Sequence, residues 1–132
     1  MIRIAAALID DERGHVFLVR KRSTAAFMQA GGKIEEGETP FEALSRELFE
    51  ELHFRVTEEQ TRFVGTFSCA AANEPDHPLE AHLFHIRVKD REFAIAAELE
   101  QAVWISTDAA RDLLLAPFTR DHVLPVARSL RS

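Results

Sequence analysis

A single cysteine, Cys69, leaves this chain of 132 residues unable to close an internal disulfide, so a reducing, cytoplasmic setting is expected. Positive charge is also short. Sixteen Lys and Arg face twenty-two Asp and Glu, and the formal net charge of −6 argues against a nucleic-acid duplex as partner. No apolar run approaches the roughly 20 residues that span a bilayer. Met1-Ile2-Arg3 runs straight into a short apolar stretch, so neither a signal peptide nor a membrane segment is expected. Repeats and low-complexity tracts are lacking as well. What remains, 46% hydrophobic and 29% charged residues, is the composition of a globular protein. Its length suits one domain, 1–132, able to bury roughly two-thirds of its unfolded surface. The acidic balance fits a protein that collects divalent cations.

The run 39–54 turns apolar side chains to one side at helical spacing: Phe41, Leu44, Leu48 and Leu52. Thr39-Pro40-Phe41-Glu42 has the form of a capping box with proline at the first helical position. His53 stands where a left-handed residue, usually glycine, would close the helix. Glu47, Glu50 and Glu51, at i, i+3 and i+4, share an adjoining strip of the surface. Like charges at those spacings each cost a helix roughly 0.2–0.5 kcal/mol, and only Arg46 offsets Glu50 at i−4. A bound cation is the expected compensation. A glycine-rich turn, Gly31-Gly32-Lys33, feeds into this helix.

Reading from Gly32, five residues lead to Glu38 and seven more to Arg46-Glu47, then Leu48, any residue, Glu50-Glu51, any residue, His53 and Phe54. The pattern resembles the Nudix box, G-x5-E-x7-R-E-U-x-E-E-x-G-U with U apolar, departing from it only at His53. The box covers 23 of 132 residues. Ala30 also replaces the common proline of the lead-in. Both departures concern backbone geometry rather than chemistry.

The resemblance implies an α/β fold, an α/β/α sandwich with a mixed β-sheet between helices. It implies hydrolysis of a phosphoanhydride in a nucleoside diphosphate linked to another moiety, with Mg²⁺ or Mn²⁺ as cofactor. A nucleoside triphosphate pyrophosphohydrolase of the MutT type is favoured by the compact length. Carried over by position, Glu50 and Glu51 match principal metal-binding carboxylates, and Glu47 one that binds metal or handles the water's proton. The Gly31 carbonyl matches a backbone metal ligand, and Arg46, Glu38 and Gly32 support the loop and helix. Glu98 or Glu100 could add a further ligand or general base, Glu100 being carried as the metal candidate. Arg20, Arg22 and Lys33 could meet the phosphates. Phe27 and Phe67 are candidates to stack on a base, and the 118–122 segment to border the pocket. A ligand-sensing module without turnover is the alternative, and the isomerase branch, which would want a catalytic cysteine and a longer chain, is disfavoured. The partner is then a small nucleotide-type diphosphate. Oligomeric state is open, with a dimer among the options.

Elsewhere, 2–9, 15–20, 62–71, 79–88 and 102–105 read as strands, with a polar loop at 73–78. Apolar positions in 79–88 change phase, which predicts a bulge near Leu83. Ser106 or Thr107 can cap a helix through Leu115, and Thr119 one to about Leu130 interrupted at Pro125. His77, His82, His85 and His122 show no metal-ligand spacing, and Trp104 and Cys69 read as core.

Overall fold

The structure, a computed structural model, describes residues 1–70, 77–89 and 92–130. Strands β1 (Ile2–Asp10), β2 (His15–Lys21), β3 (Ala30–Lys33), β4 (Thr61–Ala70), β5 (Pro78–Arg87) and β6 (Leu99–Ser106) form one sheet in the order β4-β5-β1-β2-β6. β3 pairs with β1 beside this path. β1 and β5 run parallel while the other pairs are antiparallel, so the sheet is mixed, as expected. Helix α1 (Pro40–Leu52) covers one face. On the other lie a 3₁₀ turn (Ala109–Asp112), a single wide π turn (Thr119–Val123) and helix α2 (Leu124–Ser129). The polar loop expected at 73–78 falls mostly outside the described residues, as does Ala71.

β1 is apolar almost throughout because both its faces are covered. Ala5, Ala7 and Ile9 join Phe17, Leu44, Leu48, Leu52, Phe54 and Ile86 under α1. Ala6 and Leu8 join Val16, Leu18, Leu83, Phe118 and Leu124 on the opposite side. Trp104 packs beside Phe17 under α1, ring centroids 5.1 Å apart, while Cys69 is only half-buried.

The same two layers explain the phase change in β5. Leu79, Ala81 and Leu83 face the α2 layer, and Phe84, Ile86 and Val88 face α1. β5 itself is regular against β1, with Ala6 opposite Leu83 and Ala7 opposite Phe84. The expected bulge lies in the partner strand, where Val64 is the extra residue between the pairs Phe63↔Phe84 and Gly65↔Leu83. The polar positions that remain find charged partners. Asp10 is 1% exposed and takes Arg87 Nε at 3.0 Å and Nη2 at 2.9 Å, with His85 Nε2 2.8 Å from its Oδ1. Burial pushes that carboxyl up, but His85 and Arg87 together hold it below the ordinary aspartate value.

α1 begins as its sequence specifies. Glu42 N–H donates to Thr39 Oγ1 (3.1 Å), and Thr39 N–H donates to Glu42 Oε1 (2.8 Å). Its end is closed by His53 in the left-handed region, φ 54°. His53 N–H donates to Phe49 O (3.0 Å) and Phe54 N–H to Leu48 O (3.3 Å), which carries Phe54 into the core.

Three expectations are corrected. The glycine turn is a short strand, β3, in which Gly31 has φ 136° and a Cβ would drive into the carbonyl oxygen of Ala5. The helix expected from 106 or 107 to Leu115 shrinks to the 3₁₀ turn. There, backbone bonds Phe27 N–H to Leu114 O (2.8 Å) and Ala116 N–H to Phe27 O (2.9 Å) hold the following residues extended. Thr119 does not cap the last helix, because its hydroxyl donates to buried Gln29 Oε1 at 2.7 Å. The π turn precedes Pro125, whose missing N–H a regular helix interior would not accept.

His53→Gly is expected to leave activity intact and raise stability by up to about 1 kcal/mol, since glycine adopts φ > 0 without strain. Thermal unfolding checks this, and a clear loss of activity would reveal a role for the imidazole. Gly31→Ala is expected to cost at least about 2 kcal/mol through the clash with β1 and the unfavourable φ. An unchanged melting temperature would refute that close approach.

Candidate active site

The site forms where β3 lies against α1. Glu51, although charged in type, is 2% exposed, and its Oε1 accepts from Gly31 N–H at 3.3 Å. Burial pushes its carboxyl up to about 7, reinforced by the nearby Glu47 charge and opposed by the Gly31 N–H and Lys21. Glu47 is likewise raised by burial, against the pull of Arg46. Gly32 has no side chain because the Glu47 carboxylate fills the space its Cβ would take. Glu50, half-exposed, points toward solvent with Arg46 3.7 Å away.

Arg46 ties the loop to the helix. Its Nε and Nη2 donate to the two oxygens of Glu38 at 2.8 and 2.9 Å, its Nη1 to Glu47 Oε1 at 3.0 Å, and its Nη2 to the Lys33 carbonyl at 3.1 Å. The bidentate geometry is the strong form of this contact. It holds the Glu38 carboxyl at about 2.

An open cleft of about 570 Å³ runs beside these groups, bordered by Lys21, Arg22, Gly32, Lys33, Glu47 and Glu98. Lys21 Nζ lies 3.1 Å from Glu98 Oε1. A register shift between β2 and β6 decides which glutamate reaches the cleft. Arg20 pairs with Gln101 and Lys21 with Leu99, so Glu100 drops out of the ladder. Glu100 meets Arg22 at 3.8 Å on the exposed rim.

Among the residues singled out from sequence, Gly31, Gly32, Lys33, Glu38, Arg46, Glu47, Glu50 and Glu51 come together here, with Arg22 on the cleft. Three do not. Arg20, on the opposite face of β2 from Lys21, is held by Thr24 O (2.8 Å) and Gln101 Oε1 (3.3 Å). Phe27 is 7% exposed inside the α2-side core. Glu100 sits outside, and Glu98 takes the cleft position. Lys21 belongs to the basic cluster Arg20-Lys21-Arg22 that the sequence offers as facing the glycine turn, and alternation along β2 separates its members: Val19 faces α1, so Lys21 does too. Phe67, Phe118 and His122 form an aromatic group on the α2 side, with centroids 5.0–5.7 Å apart.

The donor set is carboxylate and carbonyl oxygen, which suits a hard divalent cation, and the space left by Gly32 lets Glu47 approach the strand. Among the described residues, no three carboxylate, imidazole or thiol side chains are already gathered into one shell. Glu51 is turned to Gly31, Glu47 to Arg46 and Glu98 to Lys21.

Fold and site define an α/β/α domain with a carboxylate-rich helix beside a glycine strand, the arrangement of a nucleotide-type pyrophosphohydrolase family. The NUDIX domain model matches residues 2–126, and the chain belongs to that family. Its members generally use divalent metals. The 8-oxo-dGTP diphosphatase of Haemophilus influenzae is 41% identical over 56 residues, covering 39% of this chain and 41% of that protein. That of Proteus vulgaris is 41% identical over 61 residues, covering 43% and 54%. The matched stretch thus spans about half the length of these relatives. Among solved structures, the E. coli ORF135 protein superposes with a TM-score of 0.74 at 28% identity, covering 100% of this chain and 91% of that one. The E. coli dihydroneopterin triphosphate pyrophosphohydrolase gives 0.80 at 19%, covering 96% and 95%, and shares the fold. No helix among the described residues is long and apolar enough to cross a membrane.

The raised Glu51 carboxyl gives a signed prediction. The folded state keeps this proton longer than the unfolded chain does, so metal-free protein should lose stability as pH rises from about 4.5 through about 7. Glu51→Gln should remove on the order of 2–4 kcal/mol of that fall. Urea unfolding at pH 5 and pH 8 in chelator measures it, and parallel pH profiles for the two proteins would refute it.

Proposed function

We propose that the protein hydrolyses a phosphoanhydride bond in a nucleoside diphosphate linked to another moiety, with nucleoside triphosphates as the first substrates to test. The observation that carries this reading is the placing of Glu47 and Glu51 of α1 against β3, with Glu50 beside Arg46 and with Lys21, Arg22 and Lys33 on the neighbouring cleft. Acid and base of that kind side by side suit a metal-bound diphosphate. Glu50, Glu51, Glu47 and the Gly31 carbonyl would hold Mg²⁺ or Mn²⁺. Bound there, the ion would lower the pKa of water, neutralise phosphate charge and orient the diphosphate. Glu98 joins them in preference to Glu100, because Glu98 borders the cleft beside Lys21 while Glu100 pairs with Arg22.

The side chains have separable tasks. Lys33 and Arg22 provide charge-assisted donors for phosphate oxygens. Glu47 or Glu98 accepts the proton of the attacking water. Arg46 and Glu38 keep loop and helix in register so that these groups hold their spacing. The 8-oxo-dGTP diphosphatase relatives favour a purine nucleoside triphosphate over a dinucleotide or nucleotide sugar. A cytoplasmic setting is part of the same proposal.

Purified protein with Mg²⁺ and a panel of nucleoside triphosphates, dinucleotides, nucleotide sugars and ADP-ribose tests the reading by chromatography of products. Expected is release of a nucleoside monophosphate and pyrophosphate from at least one triphosphate, abolished by chelator. Tight binding with no turnover anywhere in the panel would instead favour a ligand-sensing module. Glu51→Gln should lower turnover at least about a hundredfold while the circular dichroism spectrum stays native. Wild-type rates in that variant would sink the metal assignment.

A further inference from the structure

The cleft already contains a cation of its own. Lys21 Nζ sits 3.1 Å from Glu98 Oε1, with 30% of the Lys21 side chain exposed, and its charge acts on both Glu47 and Glu51. The β2–β6 register shift sets this pairing, since it carries the ladder from Arg20↔Gln101 to Lys21↔Leu99 beside Glu98. The neighbouring cations differ in kind. Arg46 is locked by a fork onto Glu38, by Glu47 and by a carbonyl. Arg22 makes only a 3.8 Å contact on the rim, its side chain 69% exposed. Among the described cleft cations, Lys21 combines a close pair with a cleft carboxylate and a flexible four-carbon stem that lets an ammonium move.

We propose that Lys21 is a displaceable counter-cation: it pairs with Glu98 while no divalent ion is bound and must leave that carboxylate for one to enter. This rests on the metal-binding reading above and adds to it that a residue of the chain competes with the metal. A divalent ion and an ammonium seek the same oxygens, and each screens the repulsion among Glu47, Glu51 and Glu98. Both cannot hold Glu98 at contact distance. Lys21 therefore lowers metal affinity while keeping the ion-free cleft from carrying unopposed negative charge.

The test is Mn²⁺ titration of chelator-treated protein, without substrate, following the electron paramagnetic resonance signal of free Mn²⁺. Lys21→Met keeps most of the apolar stem and removes the charge. It is expected to bind Mn²⁺ about five- to tenfold more tightly than wild type. Lys21→Met with Glu98→Gln should return to within about threefold of wild type, because competitor and contested ligand leave together. Lys21→Gln serves if the methionine variant does not fold. Unchanged or weaker Mn²⁺ binding in the single variant would overturn the proposal, making Lys21 a support for Glu98 or a bystander. Failure of the metal reading looks different: wild type itself would bind no Mn²⁺. Wild-type binding that Glu51→Gln abolishes keeps that reading whatever Lys21 does.

Discussion

A carboxylate 2% exposed, with one backbone N–H at 3.3 Å as its hydrogen-bond donor, is a costly thing to fold around, and the rest of the site follows from Glu51 being there. The chain cannot solvate it, so it keeps the proton to about neutral pH and leans on nearby positive charge. Leu44, Leu48 and Leu52 hold α1 against the sheet, and Glu51 is buried along with them. β3 can approach it only because Gly31 and Gly32 lack side chains, one beside Ala5 and the other beside Glu47. Stability given up at this point is offset by apolar packing elsewhere, a common pattern where titratable groups are buried at functional sites.

Two kinds of cation manage the acidity. Arg46 is structural: its planar fork fixes Glu38 and Glu47 and reaches the Lys33 carbonyl, so the segment between β3 and α1 is held in place before any ligand arrives. Lys21 is adaptable, reaching from the end of β2 to a carboxylate in the turn before β6. A rigid guanidinium that positions and a mobile ammonium that compensates divide the work according to their chemistry.

Much of the α1 half was legible because its signals are local. The capping box, the proline at the helix start and the left-handed closing residue each depend on neighbours within a few positions, and Thr39, Pro40, Glu42 and His53 do what their spacing requires. Signals that depended on distant partners were read less well. Leu113 to Leu115 look helical until Phe27 offers them backbone hydrogen bonds, and Thr119 resembles a cap until Gln29 takes its hydroxyl. Arg20 and Phe27 looked available for a ligand, yet the two-layer burial of the sheet turned one to the far face and the other into the core.

The sequence by itself determined the amphipathic α1 and the identity and spacing of its three glutamates, since these are consequences of helical periodicity, whereas the need for glycine ahead of them comes from the approach of β3 to β1 and to Glu47. Tertiary structure alone decided which of Glu98 and Glu100 faces the cleft. Residues two apart would share a face of a regular strand, so no local pattern separates them; in the fold Glu98 lies in the turn before β6 and meets Lys21, while a one-residue slip against β2 leaves Glu100 out of the ladder, to meet Arg22.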